Sequence, residues 1–257
     1  MLLEDKVVIV TGSTTGIGRA IAKRCVEEGA RVLVHGRDQD LGREVVHSLG
    51  DRTILHIDDL GDPAACRRVI DTAARAFGRI DAIVNNAAYI VRSDIHSTDA
   101  ALFDRVMAVN LRAPMLLVQA GLEHLTRSRG CVLNIGSNNA YAGEENLLAY
   151  SISKAGLMAL SRNLGDTLHR HHGVRVNHFN VGWVLTENEY RYKMDDGLPE
   201  DWPASLSKVV APIGRLMKPE EIARMAVVWL SDQSRPFSGT VVDLEQYPFL
   251  GRNPPRD

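Results

Sequence analysis

Short runs of apolar, β-branched residues alternate with longer segments of helical periodicity through most of the chain. Continuous apolar runs predict strands buried on both faces, and apolar positions three and four residues apart predict amphipathic helices. The alternation of the two predicts an α/β fold, a doubly wound parallel sheet of about seven strands with helices on both faces. The runs that predict strands are 6–10, 31–36, 53–57, 81–87, 131–137, 174–180 and 239–245.

Helical periodicity occupies most of the sequence between these runs. The segments that predict helices are 18–30, 40–50, 63–77, 99–125, 150–171 and 219–231. Residues 186–218 show neither pattern, and a long irregular segment in a compact α/β protein is typical of a functional loop. The sequence therefore predicts one domain over residues 1–257, with a mobile substrate lid around 186–218.

Composition and charge are those of a globular protein without an electrostatic footprint. The chain is 45% hydrophobic and 24% charged, with a net charge of −2 and both signs interspersed. This balance disfavours nucleic acid or an acidic membrane surface as a partner. No apolar run approaches the roughly 18 to 20 residues that span a bilayer, and the N-terminus lacks a signal-peptide pattern. We therefore expect no membrane association.

The cysteines and histidines do not predict a metal site. The three cysteines, Cys25, Cys66 and Cys131, are widely spaced and lack metal-ligand spacing, which predicts reduced thiols in a cytoplasmic protein. The histidine-rich run 169–172 falls at the end of a predicted helix. Basic side chains are favoured there by the helix dipole, so no metal is needed to explain them.

A glycine-rich turn joins the first predicted strand to the first predicted helix. Gly12, Gly16 and Gly18 stand in the sequence VIVTGSTTGIGRAIA. Glycines permit a tight turn and a close backbone approach, and the following helix N-terminus attracts a pyrophosphate. This placement predicts a dinucleotide site. At the end of the second strand, Gly36 stands where an NAD-preferring protein carries an acid, and Arg37 follows as a partner for the 2′-phosphate of NADP. NADP is therefore the predicted cofactor, with NAD as the alternative.

A tyrosine and a lysine lie four residues apart in AYSISKAG, so Tyr150 and Lys154 share one face of a helix. With the glycine-rich turn, this pair resembles the short-chain dehydrogenase/reductase family, in its single-domain branch of Rossmann-type enzymes. The resemblance covers nearly the whole chain. It includes the segments TGSTTGIG (11–18), DDLGD (58–62), NNAA (85–88), NIGSNNA (134–140) and VGWVLT (181–186).

The resemblance implies a catalytic tetrad of Asn110, Ser137, Tyr150 and Lys154. Tyr150 would exchange a proton with the substrate oxygen, Ser137 would bind that oxygen, and Lys154 would bind the nicotinamide ribose. A phenol titrates near pH 10, so we also expect the charge of Lys154 to lower the pKa of Tyr150. Asn110 would stabilise a helix bend and hold a water molecule. The cofactor-binding residues implied are Gly12, Thr14, Thr15, Gly16, Ile17, Gly18, Arg37, Asp59, Leu60, Asn86, Ala87, Tyr150, Lys154, Val184 and Thr186.

The sequence departs from the family pattern at four places. Thr15 stands where NADP-preferring relatives often carry arginine, Ala88 replaces a glycine, and Val181 replaces a proline. After the last strand, Leu244 and Glu245 replace two glycines and a Pro-rich tail follows. The tail either lines a substrate site, its own or that of a neighbouring subunit, or covers another part of the surface.

The expected function is an NAD(P)(H)-dependent oxidoreductase that interconverts a secondary alcohol and a carbonyl. Polar residues around the predicted site favour a small sugar-like substrate, because each desolvated hydroxyl needs a partner. A 3-oxoacyl-type ketone reductase and a catalytically silent NADP(H)-binding regulatory module are the alternatives. The family resemblance also implies a homo-oligomer, a dimer or a tetramer, paired through the helices around 99–125 and 150–170.

Overall fold

A computed structural model describes residues 1–250, so the end of the Pro-rich tail lies outside the described residues. Seven strands form one parallel sheet in the order β3-β2-β1-β4-β5-β6-β7. The order reverses at β1, which places a crevice at the carboxyl ends of β1 and β4. The strands are β1 (Val7–Val10), β2 (Arg31–Gly36), β3 (Thr53–Ile57), β4 (Ala82–Asn85), β5 (Cys131–Ile135), β6 (Arg175–Val181) and β7 (Val241–Leu244).

Helices flank this sheet on both faces, and the predicted fold class is confirmed. The α-helices are α1 (Gly16–Glu27), α2 (Gln39–Leu49), α3 (Pro63–Phe77), α4 (Ala100–Met107), α5 (Ala113–Ser128), α6 (Leu148–His172), α7 (Glu187–Asp195) and α8 (Pro219–Leu230). The N-termini of three of them follow ordinary capping chemistry. The side chains of Asp38, Asp62 and Asp99 accept hydrogen bonds from the first turns of α2, α3 and α4.

Each face of the sheet has its own apolar core, because successive strand side chains point to opposite faces. Val8 and Val10 of β1 pack with α1 and α8 on one face. Ile9 of β1 packs with α3 and α5 on the other face. All three side chains are fully buried, which explains why the strand sequences show continuous apolar runs rather than alternation.

Two predictions of secondary structure were wrong. The helix predicted over 99–125 is two α-helices joined by a π-helical turn, Ala108–Arg112. The apolar periodicity continues through this turn, so the sequence pattern did not reveal the extra residue in it. The segment 186–218 contains α7 and a 3₁₀ turn, Trp202–Ala204. α7 buries no residue and is strongly polar, so it lacks the apolar stripe that identifies a helix.

No helix within residues 1–250 is long and apolar enough to cross a membrane. The histidine-rich run 169–172 forms the last turn of α6, which ends at Gly173 in the left-handed conformation. Among the described residues, no group of three or more potential ligand side chains is arranged to hold a metal ion.

Candidate active site

A cavity of about 640 Å³ opens at the carboxyl ends of the strands. It is lined by the loops that follow the first six strands, by α6 and α7, and by the segment after β7. Every site residue predicted from the sequence lines this cavity except Gly18 and Asn110. The volume is within the range of ligand sites, and the position is where open α/β sheets bind ligands.

Tyr150 and Lys154 stand on the first turns of α6, side by side as their spacing predicts. The Lys154 Nζ lies 5.6 Å from the centroid of the Tyr150 ring. Nζ donates a hydrogen bond of 2.8 Å to the carbonyl oxygen of Ile135, at the end of β5. Ser137, two residues further on, has its hydroxyl hydrogen-bonded to the Tyr150 phenol. The strand end and the helix start thus bring three predicted catalytic groups into one cluster.

Burial dominates the titration of both groups on α6. Burial of the Tyr150 phenol, opposed by its hydrogen bond with Ser137, raises its pKa to about 12. The carboxylates of Glu189 and Glu144 contribute in the same direction as burial. Burial lowers the pKa of Lys154 to about 8. Burial and the two carboxylates thus raise the pKa of Tyr150, and the expectation that the charge of Lys154 lowers it stays a prediction.

Asn110 does not reach the cavity; it lies in the π-helical turn between α4 and α5 and holds surrounding segments together. Its Oδ1 accepts from the backbone N–H of Tyr89 at 2.7 Å, and its Nδ2 donates to the carbonyl of Tyr89 at 3.1 Å. Nδ2 also donates to Ser153 Oγ at 3.0 Å, on the helix that carries Tyr150. Asn110 is 1% exposed, so these bonds fix the cavity wall after β4 against α6.

The glycine-rich turn forms a cradle in which side chains have no room. Gly12 and Gly16 have φ of +62° and +53°, a conformation that favours glycine. A Cβ at Gly18 would overlap the carbonyl oxygen of Gly12 and the side-chain amide of Asn86. Gly18 therefore acts by letting α1 approach the turn rather than by touching a ligand. No acidic residue of α1 itself occupies its first turn, but the Glu187 carboxylate, paired with Arg19, accepts from the backbone N–H of Gly16 there. The positive end of α1 thus holds an anionic group, and a phosphate bound there would take the place of this carboxylate.

The other end of the cavity carries the residues expected to distinguish NADP from NAD. A Cβ at Gly36 would lie 2.5 Å from the Thr14 Cγ2, so no carboxylate fits at the end of β2. Arg37 is exposed and lines the cavity beside it. Asp59 also lines the cavity, and its Oδ2 lies 2.7 Å from Nη2 of Arg105. Thr15 also lines the cavity, and its contact with the cofactor stays a prediction.

Val184 and Thr186 line the cavity between the glycine cradle and the catalytic cluster. The Thr186 hydroxyl accepts from the backbone N–H of Glu189 at 3.1 Å, so it caps α7. A Cβ at Gly16 would lie 3.2 Å from the Thr186 methyl group, so this threonine packs directly on the cradle. The hydroxyl hydrogen of Thr186 is still available for a ligand carbonyl.

Sequence reasoning missed a buried polar chain behind the catalytic cluster. His178 is fully buried in β6, and burial lowers its pKa to about 4, so the ring is neutral. Its Nε2 lies 2.9 Å from Asn180 Oδ1, and Asn180 Nδ2 donates to Asp243 Oδ1 at 3.1 Å. Nε2 therefore carries the proton, and Nδ1 is left as an acceptor 2.9 Å from Ser161 Oγ, which also donates to the Leu157 carbonyl at 2.7 Å. The sequence signal for this polar chain was the spacing of His178 and Asn180, two residues apart in a buried strand.

The segment after β7 forms a wall of the same cavity through Glu245, Tyr247 and Phe249. The Phe249 ring stacks on Tyr141, with centroids 6.2 Å apart. The tail of this chain thus lines its own cavity, one of the alternatives left open by the sequence. The departure from the two glycines expected after the last strand was the signal, but only the structure shows where the replacing side chains lie.

These features are those of a nucleotide-dependent oxidoreductase, and comparison with known proteins agrees. The family model described as "Enoyl-(Acyl carrier protein) reductase" matches residues 12–245. The chain belongs to this family of short-chain dehydrogenases/reductases, and it is an NAD(P)-dependent oxidoreductase. The predictions of family, enzyme class and nicotinamide cofactor are confirmed.

Three known proteins show what the chain is similar to. The NADP-dependent (R)-specific alcohol dehydrogenase of Lentilactobacillus kefiri is 30% identical, over 94% of this chain and 96% of its own. The L-rhamnose 1-dehydrogenase (NAD(P)(+)) of a Sphingomonas species is 30% identical, over 94% of this chain and 95% of its own. The crystal structure of 3-ketoacyl-(acyl-carrier-protein) reductase from Brucella melitensis complexed with NADH has a TM-score of 0.83 and 26% identity, covering 94% and 97% of the two chains.

Proposed function

We propose that this chain interconverts a secondary alcohol and a carbonyl with NADP(H), using Tyr150 as the acid and base. The observation that carries the proposal is the cluster of Ser137, Tyr150 and Lys154 at the cavity wall. The bound cofactor supplies or accepts the hydride. The residues of this chain then have to bind the substrate oxygen, move one proton and orient the ribose.

The phenol of Tyr150 is protonated at neutral pH, since its pKa is about 12. A protonated phenol donates to a carbonyl oxygen as that oxygen gains charge, and the reverse step returns the proton to the phenolate. Ser137 provides a second donor for the same oxygen. Lys154 uses one N–H on Ile135, which leaves two for the ribose hydroxyls. Asn110 acts at one remove, by holding the neighbouring wall against α6.

The glycine cradle fits a dinucleotide. We place the pyrophosphate at the N-terminus of α1, against Gly12, Thr14, Thr15, Gly16 and Ile17, with Gly18 allowing the close approach. Arg37, Asp59 and Leu60 would contact the adenosine end of the cofactor. The nicotinamide end would contact Asn86, Ala87, Val184 and Thr186. The similarity to the NADP-dependent alcohol dehydrogenase of L. kefiri supports NADP as the cofactor.

Replacing Arg37 is expected to weaken NADPH binding selectively. In Arg37→Ala the 2′-phosphate loses a charged partner, and we expect the Kd for NADPH to rise about tenfold, from a hydrogen bond to a charged group. The Kd for NADH, which lacks that phosphate, should stay near its wild-type value. Fluorescence titration with both nucleotides measures this, and Arg43→Ala on α2 serves as a control outside the cavity. Equal weakening of both nucleotides would contradict the NADP assignment.

For the substrate, we propose a small polar, sugar-like alcohol. Polar side chains line the half of the cavity beyond the catalytic cluster: Asn138, Asn139, Glu144, Asn188, Glu189 and Glu245. Desolvated hydroxyl groups need such partners. The similarity to an L-rhamnose 1-dehydrogenase supports the same class. A 3-oxoacyl ketone is the second candidate, favoured by the similarity to the Brucella melitensis reductase.

The deciding experiment follows the nicotinamide absorbance of the protein with NADP and NADPH. The panel contains aldoses, small secondary alcohols, keto acids and 3-oxoacyl thioesters. Turnover of aldoses or polyols supports the proposal, and faster turnover of the thioesters overturns the substrate class. Binding of NADPH without turnover of any substrate would support a catalytically silent regulatory module instead.

We also propose that residues 1–257 form one domain and that 186–218 act as its substrate lid. α7 covers the cavity with Asn188, Glu189 and Lys193. Two ion pairs fasten it to the rest of the chain: Glu187 with Arg19 of α1, and Asp196 with Arg92 at 2.8 Å. Both pairs are partly exposed, so each contributes little to holding the lid closed.

We propose that the protein is a homo-oligomer, with α4, α5 and α6 forming one interface between copies. An apolar groove of about 780 Å³ runs between these helices, with Met107, Leu111 and Leu160 along it. Met115, at its edge, is 43% exposed. We also propose that the protein is cytoplasmic, because its three cysteines are buried free thiols.

A charge in this groove is expected to separate the copies. In Met115→Glu the carboxylate would lose its hydration at the interface, so the sedimentation coefficient should fall towards that of a monomer at micromolar concentration. Leu41→Glu, at an exposed position of α2, is the matched control and should leave the oligomer intact. A wild-type protein that sediments as a monomer would contradict the proposal.

A further inference from the structure

Glu245 is held in an unusual position at the end of β7. Its Oε2 accepts from the backbone N–H of Trp183 at 3.2 Å, and Oε1 accepts from the backbone N–H of Gln246 at 2.7 Å. Asn138, the residue after Ser137, directs its Nδ2 at Oε2 across 3.4 Å. The carboxylate thus joins three segments that meet at the substrate half of the cavity, and it lines that cavity itself.

The contact with Glu245 also decides how Asn138 is oriented. Because the amide nitrogen faces the carboxylate, the amide oxygen faces away from it. Asn138 is 4% exposed, and its Oδ1 has no hydrogen-bond partner among residues 1–250. A buried acceptor without a partner costs free energy, which a donor on a ligand would recover. Asn138 lines the cavity, but its Oδ1 has almost no exposed surface, so a ligand donor would reach it after a small movement of this wall.

The charges around this half of the cavity disfavour an anionic ligand. Three carboxylates line it, Glu144, Glu189 and Glu245, together with three cations, Arg92, Lys154 and Lys193. Arg92 is paired with Asp196, and Lys193 lies over the Trp183 ring, 5.3 Å from its centroid. With Arg92 neutralised by Asp196, the three carboxylates face Lys154 and Lys193 alone, and this excess of negative charge disfavours an anionic ligand. A hydroxyl group, which donates one hydrogen bond without carrying charge, fits the two acceptors.

The neighbouring wall is aromatic. Tyr247 and Phe249 line the cavity after Glu245, and so does Trp183, whose backbone N–H donates to Glu245. Rings of this kind pack against the C–H face of a carbon skeleton, while acceptors take its hydroxyl groups. The arrangement of acceptors beside rings fits a polyol better than a simple alcohol, which would leave the acceptors unpaired.

We propose that Glu245 and Asn138 form a subsite for a second substrate hydroxyl, distinct from the one that reacts at Tyr150. This inference rests on the proposed function and refines it. Glu245 accepts the hydroxyl hydrogen directly, and the same carboxylate orients Asn138 so that its amide oxygen is an acceptor. The subsite makes the chain select vicinal diols and sugars over mono-alcohols of the same skeleton.

The test compares matched substrates that differ by one hydroxyl. We measure kcat/KM with NADP for cyclohexanol and cis-cyclohexane-1,2-diol, for 2-butanol and 2,3-butanediol, and for an aldose with its singly deoxygenated analogues. In the wild type the ratio of diol to mono-alcohol should favour the diol. In Glu245→Gln and Asn138→Leu this ratio should fall by about 10- to 100-fold, from the loss of a hydrogen bond to a charged or buried group.

Two further variants separate recognition from support of the fold. Glu145→Gln changes an exposed carboxylate that does not line the cavity, and its substrate ratio should match the wild type. Glu245→Gly introduces the residue usual in the family and tests the subsite without an amide in its place. Melting temperatures of all variants, with and without NADP, report on folding and cofactor binding independently of turnover.

The possible outcomes are distinct. A fall in diol turnover alone supports the subsite. Equal losses for diols and mono-alcohols would make Glu245 a support for the Trp183 loop and overturn the proposal, while the oxidoreductase function would stand. A wild type that prefers mono-alcohols to diols would overturn the subsite but not the oxidoreductase function. A preference for an amino alcohol over the diol would have the same consequence. If the wild type turns over no alcohol and no ketone, the proposed function and the subsite are both overturned.

Discussion

Tyr150→Phe is expected to reduce the rate of carbonyl reduction by about 100- to 10,000-fold, the usual contribution of a positioned general acid. The ring remains, so packing at the start of α6 is preserved and only the phenol oxygen is lost. Ser137 loses its hydrogen-bond partner, and we expect its hydroxyl to remain available for the substrate oxygen. Because the cofactor contacts of Lys154 and the glycine cradle are untouched, the Kd for NADPH should change little.

Stopped-flow absorbance with a preloaded enzyme–NADPH complex measures this rate without contributions from product release. Tyr141→Phe is the matched control, because its hydroxyl bonds to Asp243 at 3.0 Å rather than to the catalytic cluster. We expect that control to keep most of the activity. A Tyr150→Phe enzyme with near wild-type rate would assign proton transfer to another group.

Lys154→Met is expected to affect both chemistry and cofactor binding. Methionine keeps the length of the side chain but removes the charge and the donors that face the cavity. We expect kcat to fall about 100- to 1,000-fold, as for loss of a preorganised donor in an active site. The Kd for NADPH should rise about tenfold through the lost ribose contacts. Lys23→Met, on the exposed face of α1, is the control.

The pH dependence of the wild type gives an independent measurement of the same group. Burial lowers the pKa of Lys154 to about 8, so its charge is present below that pH and lost above it. We therefore expect kcat/KM for NADPH at saturating ketone to be level near neutrality and to fall as the pH rises through about 8. The Lys154→Met profile should lack this fall. A wild-type profile that is flat up to pH 10 would show that the charge of Lys154 is not required.

The fold and the catalytic cluster were predictable from sequence because both depend on short-range patterns. Continuous apolar runs identify buried parallel strands, and a helical spacing of four places Tyr150 and Lys154 together. The position of Ser137 follows from the end of β5. The glycine turn was readable for the same reason, since its steric requirement is local.

The features that could not be predicted depend on packing between segments that are distant along the chain. A single sequence carries no direct information on such contacts. Asn110, in the π-helical turn, bonds to Tyr89 and Ser153, which come from two other parts of the chain. The titration of Tyr150 depends on how much solvent the folded chain removes. The role of Glu245 depends on the meeting of three loops.

The absence of a side chain at Gly182 has a consequence for how such a protein changes over generations. A Cβ at this position would overlap the Glu245 carboxylate, the mobile end of a flexible side chain. Alanine there would therefore be accommodated by rotating the carboxylate away from Trp183 and Asn138, without unfolding β6 or β7. A substitution at residue 182 would therefore change the substrate wall by moving the Glu245 side chain, although the glycine itself contributes no side chain to that wall.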